Sequence, residues 1–180
     1  MELLSYRAQI APGGGFQMLP AGALGSLVAF DSSGEITLVH RGGPQRMRRH
    51  ILRLKDQLLA LPETEKREMH VEHVFVDGMY ARKLHIRAGT LLVGKVHRKA
   101  CLNFVERGDI AVLTEHGSTR VKAGAMAASP AGTIKVGYAY EDTVFVNVFR
   151  TDETDVERIE NEIACESHDL IETRGELPCQ

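Results

Sequence analysis

Eight short runs rich in β-branched and aromatic residues follow one another between Val71 and Phe149, at 73–76, 80–87, 90–97, 102–106, 110–115, 119–123, 134–138 and 143–149. Turn signals separate them at Asp77-Gly78, Ala88-Gly89, Arg107-Gly108-Asp109, His116-Gly117 and Pro130-Ala131-Gly132. Strands so short and so closely spaced leave no room for crossover helices. They predict antiparallel pairing in a β-sandwich or small barrel over residues 71–150. A chain of 180 residues accommodates one such domain with flanking segments.

The flanks differ from the β region. Residues 1–43 carry Pro12-Gly13-Gly14-Gly15, Pro20, Gly22 and Gly25, too many breakers for a long helix, and read as an extended Gly-rich arm. A small hairpin is expected in it, with strands at 27–30 and 36–39 and a turn at Ser32-Ser33-Gly34. Pro44 then suits the first turn of a helix that Pro62 stops. Within 44–62, Met47, Ile51, Leu54, Leu58 and Leu61 lie on one stripe, while Arg46, Arg48, Arg49, Arg53 and Lys55 occupy the other faces. That stripe is expected at an interface between molecules, and packing within its own domain is the alternative. Residues 151–180 read as an acidic helix, opened by the capping-box pattern Thr154-Asp155-Val156-Glu157, and a polar tail.

The formal net charge of −2 conceals an asymmetry: residues 1–150 carry 20 basic and 14 acidic side chains, whereas 151–180 carry 2 and 10. Opposite charge on the basic body and the acidic tail suits pairing within a molecule or between subunits. With 43% apolar and 26% charged residues the chain is neither disordered nor collagenous. Cys101, Cys165 and Cys179 lack the spacing of a zinc ribbon or disulfide framework. No run of about 18 apolar residues offers a membrane span, and the start of the chain lacks the pattern of a secretory signal, so a cytosolic location is expected. The basic run at 41–55 has no interleaved aromatics, and nucleic acid is not the expected partner.

The turn residues also carry a resemblance. Gly89, five residues, Lys95-Val96-His97, three residues, Cys101, six residues and Gly108 follow the spacing of the first motif of the cupin superfamily. Gly124, five residues, Pro130-Ala131-Gly132, two residues, Lys135, three residues and Ala139 follow its second. The segments at 78–82, 94–97, 108–115 and 141–144 further resemble small cupin-like proteins encoded by tailed bacteriophages. The resemblance implies a mainly β fold, a cupin-like jelly-roll barrel with an N-terminal arm and helix and a C-terminal helix. It also implies that Lys95, His97, Cys101 and Lys135 converge in the barrel mouth, where the superfamily has His, His, Glu and His as metal ligands.

Two lysines change the chemistry expected there. Only His97 and Cys101 are good metal ligands, and an ammonium group about 5 Å from a cation costs about 3 kcal/mol at an effective dielectric near 20. No cofactor is assigned. Strand alternation along Leu91, Val93, Lys95 and His97 puts these four on one face, with Cys101 and Asn103 sharing a face on the next strand. Lys95, His97 and Lys135, with Tyr140 and His85 as neighbours, then suit an anion, unless the ammonium groups reach the rim and packing fills the barrel. Cys101 as a nucleophile with His97 as its base is the weaker alternative to a buried, inert thiol.

From these residues three functions are expected, in this order. The first is a non-enzymatic phage-encoded binding or assembly protein, a capsid, neck or tail component. It would be made in the host cytoplasm and form homo-oligomers or bind other phage structural proteins. The second is a small metal-dependent isomerase or oxygenase using His97 and Cys101. The third is a soluble effector that binds a small anionic ligand.

Overall fold

Chain reversals occur where the sequence places them. The described residues with positive φ are all glycines, Gly78, Gly89, Gly108, Gly117, Gly124 and Gly132, and each sits at or beside a strand end. The computed structural model describes residues 43–62 and 66–165. Ahead of them it gives the backbone of five short strands, β1 (Leu4–Arg7), β2 (Gln9–Ile10), β3 (Phe16–Gln17), β4 (Ala29–Phe30) and β5 (Ile36–Thr37). The triple glycine at 13–15, residues 63–65 and the tail at 166–180 lie outside the described residues.

The β region is a jelly roll of two five-stranded antiparallel sheets. Its strands are β6 (His70–Val76), β7 (Met79–Ile86), β8 (Thr90–Val93), β9 (Val96–His97), β10 (Cys101–Arg107), β11 (Asp109–Thr114), β12 (Gly117–Lys122), β13 (Met126–Ser129), β14 (Val136–Ala139) and β15 (Thr143–Arg150). One sheet runs β1-β8-β14-β11-β12 and the other β13-β10-β15-β7-β6. Between the sheets lie Leu84, Ile86, Leu92, Val105, Ile110, Ala139 and Phe145. The strand at β13 was not expected, because Met126-Ala127-Ala128-Ser129 lacks β-branched residues. Its pairing with β10, Cys101 opposite Ser129, supplies what its composition does not.

The outer face of the first sheet is apolar as well, and helix α1 (Pro44–Leu59) covers it. Ile51, Leu54 and Leu58 are fully buried against Leu91, Val93, Ala111, Leu113, Val136 and Tyr138, with Met47 and Leu61 packed at the margin. The expectation that this stripe forms an intermolecular interface is therefore corrected. The β8 and β14 strands are buried on both faces, and the helix is the cover that their outer residues require. Arg48, on the basic side of the helix, is also used within the chain: its guanidinium donates to Glu115 Oε1 at 3.2 Å and to the Gly132 carbonyl at 2.9 Å.

At its start the arm joins the barrel: β1 pairs with β8, Leu4 opposite Val93 and Arg7 opposite Thr90. Further on, β4 pairs with β5, Phe30 opposite Ile36. At the other end α2 (Val156–Ile163) begins one residue later than the capping pattern implies. Asp155, not Thr154, is the N-cap, and its carboxylate accepts from the Arg158 amide at 2.9 Å. Ile159 and Ile163 seal a third apolar cluster with Tyr80, Cys101 and Phe149. Short β16 (Ala164–Cys165) then pairs with β9. Among the described residues no helix is long and apolar enough to cross a membrane.

Two turn glycines differ in what surrounds them. A Cβ on Gly108 (φ +93) would stand 2.4 Å from Thr143 Oγ1 and 2.6 Å from the Asp142 carbonyl, whereas one on Gly124 (φ +89) meets nothing within 4 Å. Gly124→Ala is expected to cost about 1 to 2 kcal/mol, the left-handed backbone alone. Gly108→Ala adds a backbone collision and is expected to cost at least about 3 kcal/mol. Urea unfolding of the two variants measures the difference.

Candidate functional site

Strand alternation decides what enters the barrel. On β7 Arg82, Leu84 and Ile86 point inward, and on β15 Phe145 and Asn147 do. On β8 the inward residue is Leu92, while Leu91 and Val93 face α1. The strand stops at Val93, and Gly94 bonds by its amide to the Lys135 carbonyl at 2.9 Å. Past this break the alternation is reset, so Lys95 and His97 line the cavity with Leu92, not with Leu91 and Val93 as simple alternation predicts.

The cavity, about 40 Å³, has apolar walls at Leu84, Ile86, Leu92, Ile110, Val112 and Phe145. Its polar lining comes from Arg82, Lys95, His97, Lys135 and Asn147. Lys135, His97 and Cys101 come together as the motif spacing implies. The Lys135 ammonium donates to Asn103 Oδ1 at 2.8 Å and lies 3.8 Å from Cys101 Sγ, which is 3.4 Å from His97 Nδ1. Tyr140 is not a pocket residue. It stands on the outer face beside Tyr138, at 5.0 Å between ring centroids, with the Arg120 guanidinium 3.9 Å from its ring. His85 is corrected likewise: on β7 it alternates away from Leu84 and Ile86 and lies outside the barrel.

Sequence reasoning named Asn103 only for its face and missed Arg82, Asn147 and Ser129. Asn103 is the hub: its Nδ2 donates to Ser129 Oγ at 3.0 Å and to the Ala127 carbonyl at 2.9 Å, and its Oδ1 accepts from Asn147 Nδ2 at 2.9 Å as well as from Lys135. Arg82 reaches Asn147 Oδ1 at 3.4 Å. The available signal was polar residues at inward positions of strands otherwise apolar inside, such as Arg82 between Tyr80 and Leu84.

Burial sets the charge states. Desolvation, with the charges of Lys135 and Arg82 adding to it, pushes the His97 pKa down to about 3, so this imidazole is neutral. Burial also lowers the Lys135 pKa, with Arg82 pushing the same way while the nearby thiol acts against them. Desolvation raises the Cys101 pKa, although Lys135 opposes it. A raised thiol beside a lowered imidazole is the reverse of a thiolate–imidazolium pair. Although His97 and Cys101 touch, nucleophilic activation is not what the site is built for.

Of the four positions where the resemblance implies metal ligands, His97 and Cys101 hold donors and Lys95 and Lys135 do not. One of these lysines, Lys135, holds its ammonium in contact with Cys101. Two donors remain, short of the three a catalytic centre needs. The arrangement presents positive charge and amide donors at the end of an apolar pocket, which suits an anion.

No family model matches the chain, and no curated protein matches it. Solved structures similar to it include ectoine synthase from P. lautus (16% identity, 54% of this chain and 74% of that one, TM-score 0.46). KdgF from Halomonas sp. is another (17% identity, 49% and 89%, TM-score 0.42). A cupin superfamily protein from Desulfitobacterium hafniense is a third (10% identity, 53% and 86%, TM-score 0.42).

A histidine held neutral makes stability depend on pH. The unfolded chain binds a proton at His97 below its ordinary pKa of about 6.5, while the folded chain does so only near 3. Stability from this group is thus complete above about 6.5 and falls with pH between the two values, by about 1.4 kcal/mol per unit. Denaturant titrations from pH 6.5 to 5, above the range where most carboxylates titrate, are expected to show a loss of about 2 kcal/mol that His97→Gln largely removes.

Proposed function

We propose that the protein is a non-enzymatic binding protein that holds a small carboxylate-bearing ligand inside the barrel. The observation that carries this reading is the half-buried Lys135 ammonium, whose hydrogen-bond acceptors, Asn103 Oδ1 and Cys101 Sγ, are neutral groups. An ammonium desolvated beside a guanidinium gains from a compensating anion more than an exposed one does. At about 10–15 Å³ per water, the cavity of about 40 Å³ has room for roughly three waters, the scale of a carboxylate group. The apolar walls at Leu84, Ile110, Val112 and Phe145 close in on that space and would restrict the ligand to a very short chain.

The expected result is a saturable rise in melting temperature with one or more short monocarboxylates, equivalent to about 2.7 kcal/mol at a hundred times Kd. Lys135→Met keeps the side-chain length and removes the charge, so the variant should fold and lose the shift. A response that survives Lys135→Met, or no response to any carboxylate tested, overturns the proposal.

An assembly role, the first expectation from the sequence, retains one supporting observation, at a different surface. The outer face of β13-β10-β15-β7-β6 exposes Met126, Leu102, Met79, Val74 and Val76, on register positions that share one side of the sheet. Glu72, Lys83, Glu106 and Arg150 accompany them, so both signs of charge accompany the apolar strip and the face can pair with a second copy of itself about a two-fold axis. That the chain is a virion component rests on the segment resemblances alone. Light scattering is expected to show a dimer that Val76→Glu with Met79→Glu converts to a folded monomer. A monomeric parent protein would remove this second reading.

A further inference from the structure

Outside the barrel, at the edge of the second sheet, two histidines and a glutamate stand together. His70 on β6 is directly opposite His85 on β7, and Glu72 follows two residues along on the same face. Their donor atoms lie within 4.8 Å of one another: His85 Nε2 is 2.7 Å and His70 Nε2 3.7 Å from the same oxygen, Glu72 Oε1. The ring centroids are 5.0 Å apart. The geometry points to a surface site for a divalent transition metal, zinc by its donor set, held by His70, Glu72 and His85. This goes beyond the barrel ligand and does not depend on it.

Three features support the assignment. Two imidazoles and a carboxylate are the donor set of open zinc sites, which leave a position for water or an outside ligand. Zinc bonds of about 2.1 Å put neighbouring donors of a tetrahedron about 3.4 Å apart. The 2.7 and 3.7 Å separations bracket that value, so small adjustments of the exposed His70 and of the half-buried Glu72 and His85 suffice. The strand pairing itself sets the distance between the histidines, so the site is carried by a rigid ladder rather than a loop.

The surrounding charges act in both directions. Lys83 Nζ is 3.9 Å from Glu72 Oε2, the oxygen turned away from the histidines, but it is held closer, at 2.8 Å, by Glu106. Both histidines line a groove of about 740 Å³, which gives an ion a way in. Arg67, Arg87 and Arg107 line the same groove, so the open position of the metal would favour an anionic outside ligand.

The test strips the full-length protein with EDTA, removes the chelator and titrates it with zinc chloride by calorimetry. A parallel cobalt titration is read by visible absorption. One saturable site is expected, weakened at least about tenfold by His85→Ala or His70→Ala. His70 is 70% exposed, so its replacement leaves the fold intact. Cys101→Ser and His97→Ala should leave the affinity unchanged, and the cobalt spectrum should show d–d bands without a thiolate charge-transfer band. Those two controls separate this site from metal capture in the barrel. No saturable zinc uptake, or uptake that survives both edge-histidine variants, overturns the inference.

Discussion

The packing of α1 on the first sheet is the contact on which the rest of the molecule depends. A jelly roll buries the inner faces of its two sheets against each other, but β8, β11 and β14 are apolar on both sides. Leu92 and Ile110 face the barrel interior, while Leu91, Val93, Ala111, Leu113 and Tyr138 face outward. Fully burying a side chain such as Ile51, Leu54 or Leu58 contributes about 1.5 to 3 kcal/mol. The three together match a large share of the net stability of a domain this size. Without the helix, that sheet would present its outer residues to water.

The two sheets are thus unequal partners. The covered one supplies shape: it fixes β14, and through it the position of Lys135. The other alternates along β7 and β15, with apolar side chains, the Asn147 amide and the Arg82 guanidinium inside and mixed side chains outside. The polar cluster hangs between them. Asn103, from the second sheet, accepts from the lysine that arrives from the first, and Asn147 donates to the same Asn103 oxygen. Each amide is itself hydrogen-bonded, so the lysine meets a preorganised acceptor and the network is tied at several points.

Much of the barrel was legible because its signals are local. Glycines at strand ends, one proline and runs of β-branched residues mark reversals and strands by backbone energetics alone, and all six positive-φ glycines fall at expected turns or motif positions. The resemblance to the cupin motifs implied the convergence of Lys95, His97, Cys101 and Lys135, of which the last three are in contact. What was not legible depended on tertiary choice. The stripe from Met47 to Leu61 has the same period whether it meets its own sheet or another molecule. The break at Gly94 resets the face of Lys95 without leaving a mark in composition. Tyr140 and His85 were put in the pocket for their chemistry, and one step of strand phase puts both outside it. The edge site escaped because His70 and His85 are fifteen positions apart and meet only through the register of a hairpin.

Both ends of the described chain fasten on one stretch of strand. β1 pairs with β8, and β16 pairs with β9, Ala164 opposite His97, where the Arg98 amide also donates to the Ile163 carbonyl at 2.7 Å. Residues 90–97 are therefore gripped by residues 4–7, which precede them by more than eighty positions, and by residues 164–165, which follow them by more than sixty. The backbone that carries His97 has its last partner only after residue 165 has left the ribosome, and such long-range closures are slow steps. A chain cut between residues 97 and 164 would lack this strand partner, so a segment far downstream governs when the interior can first be closed.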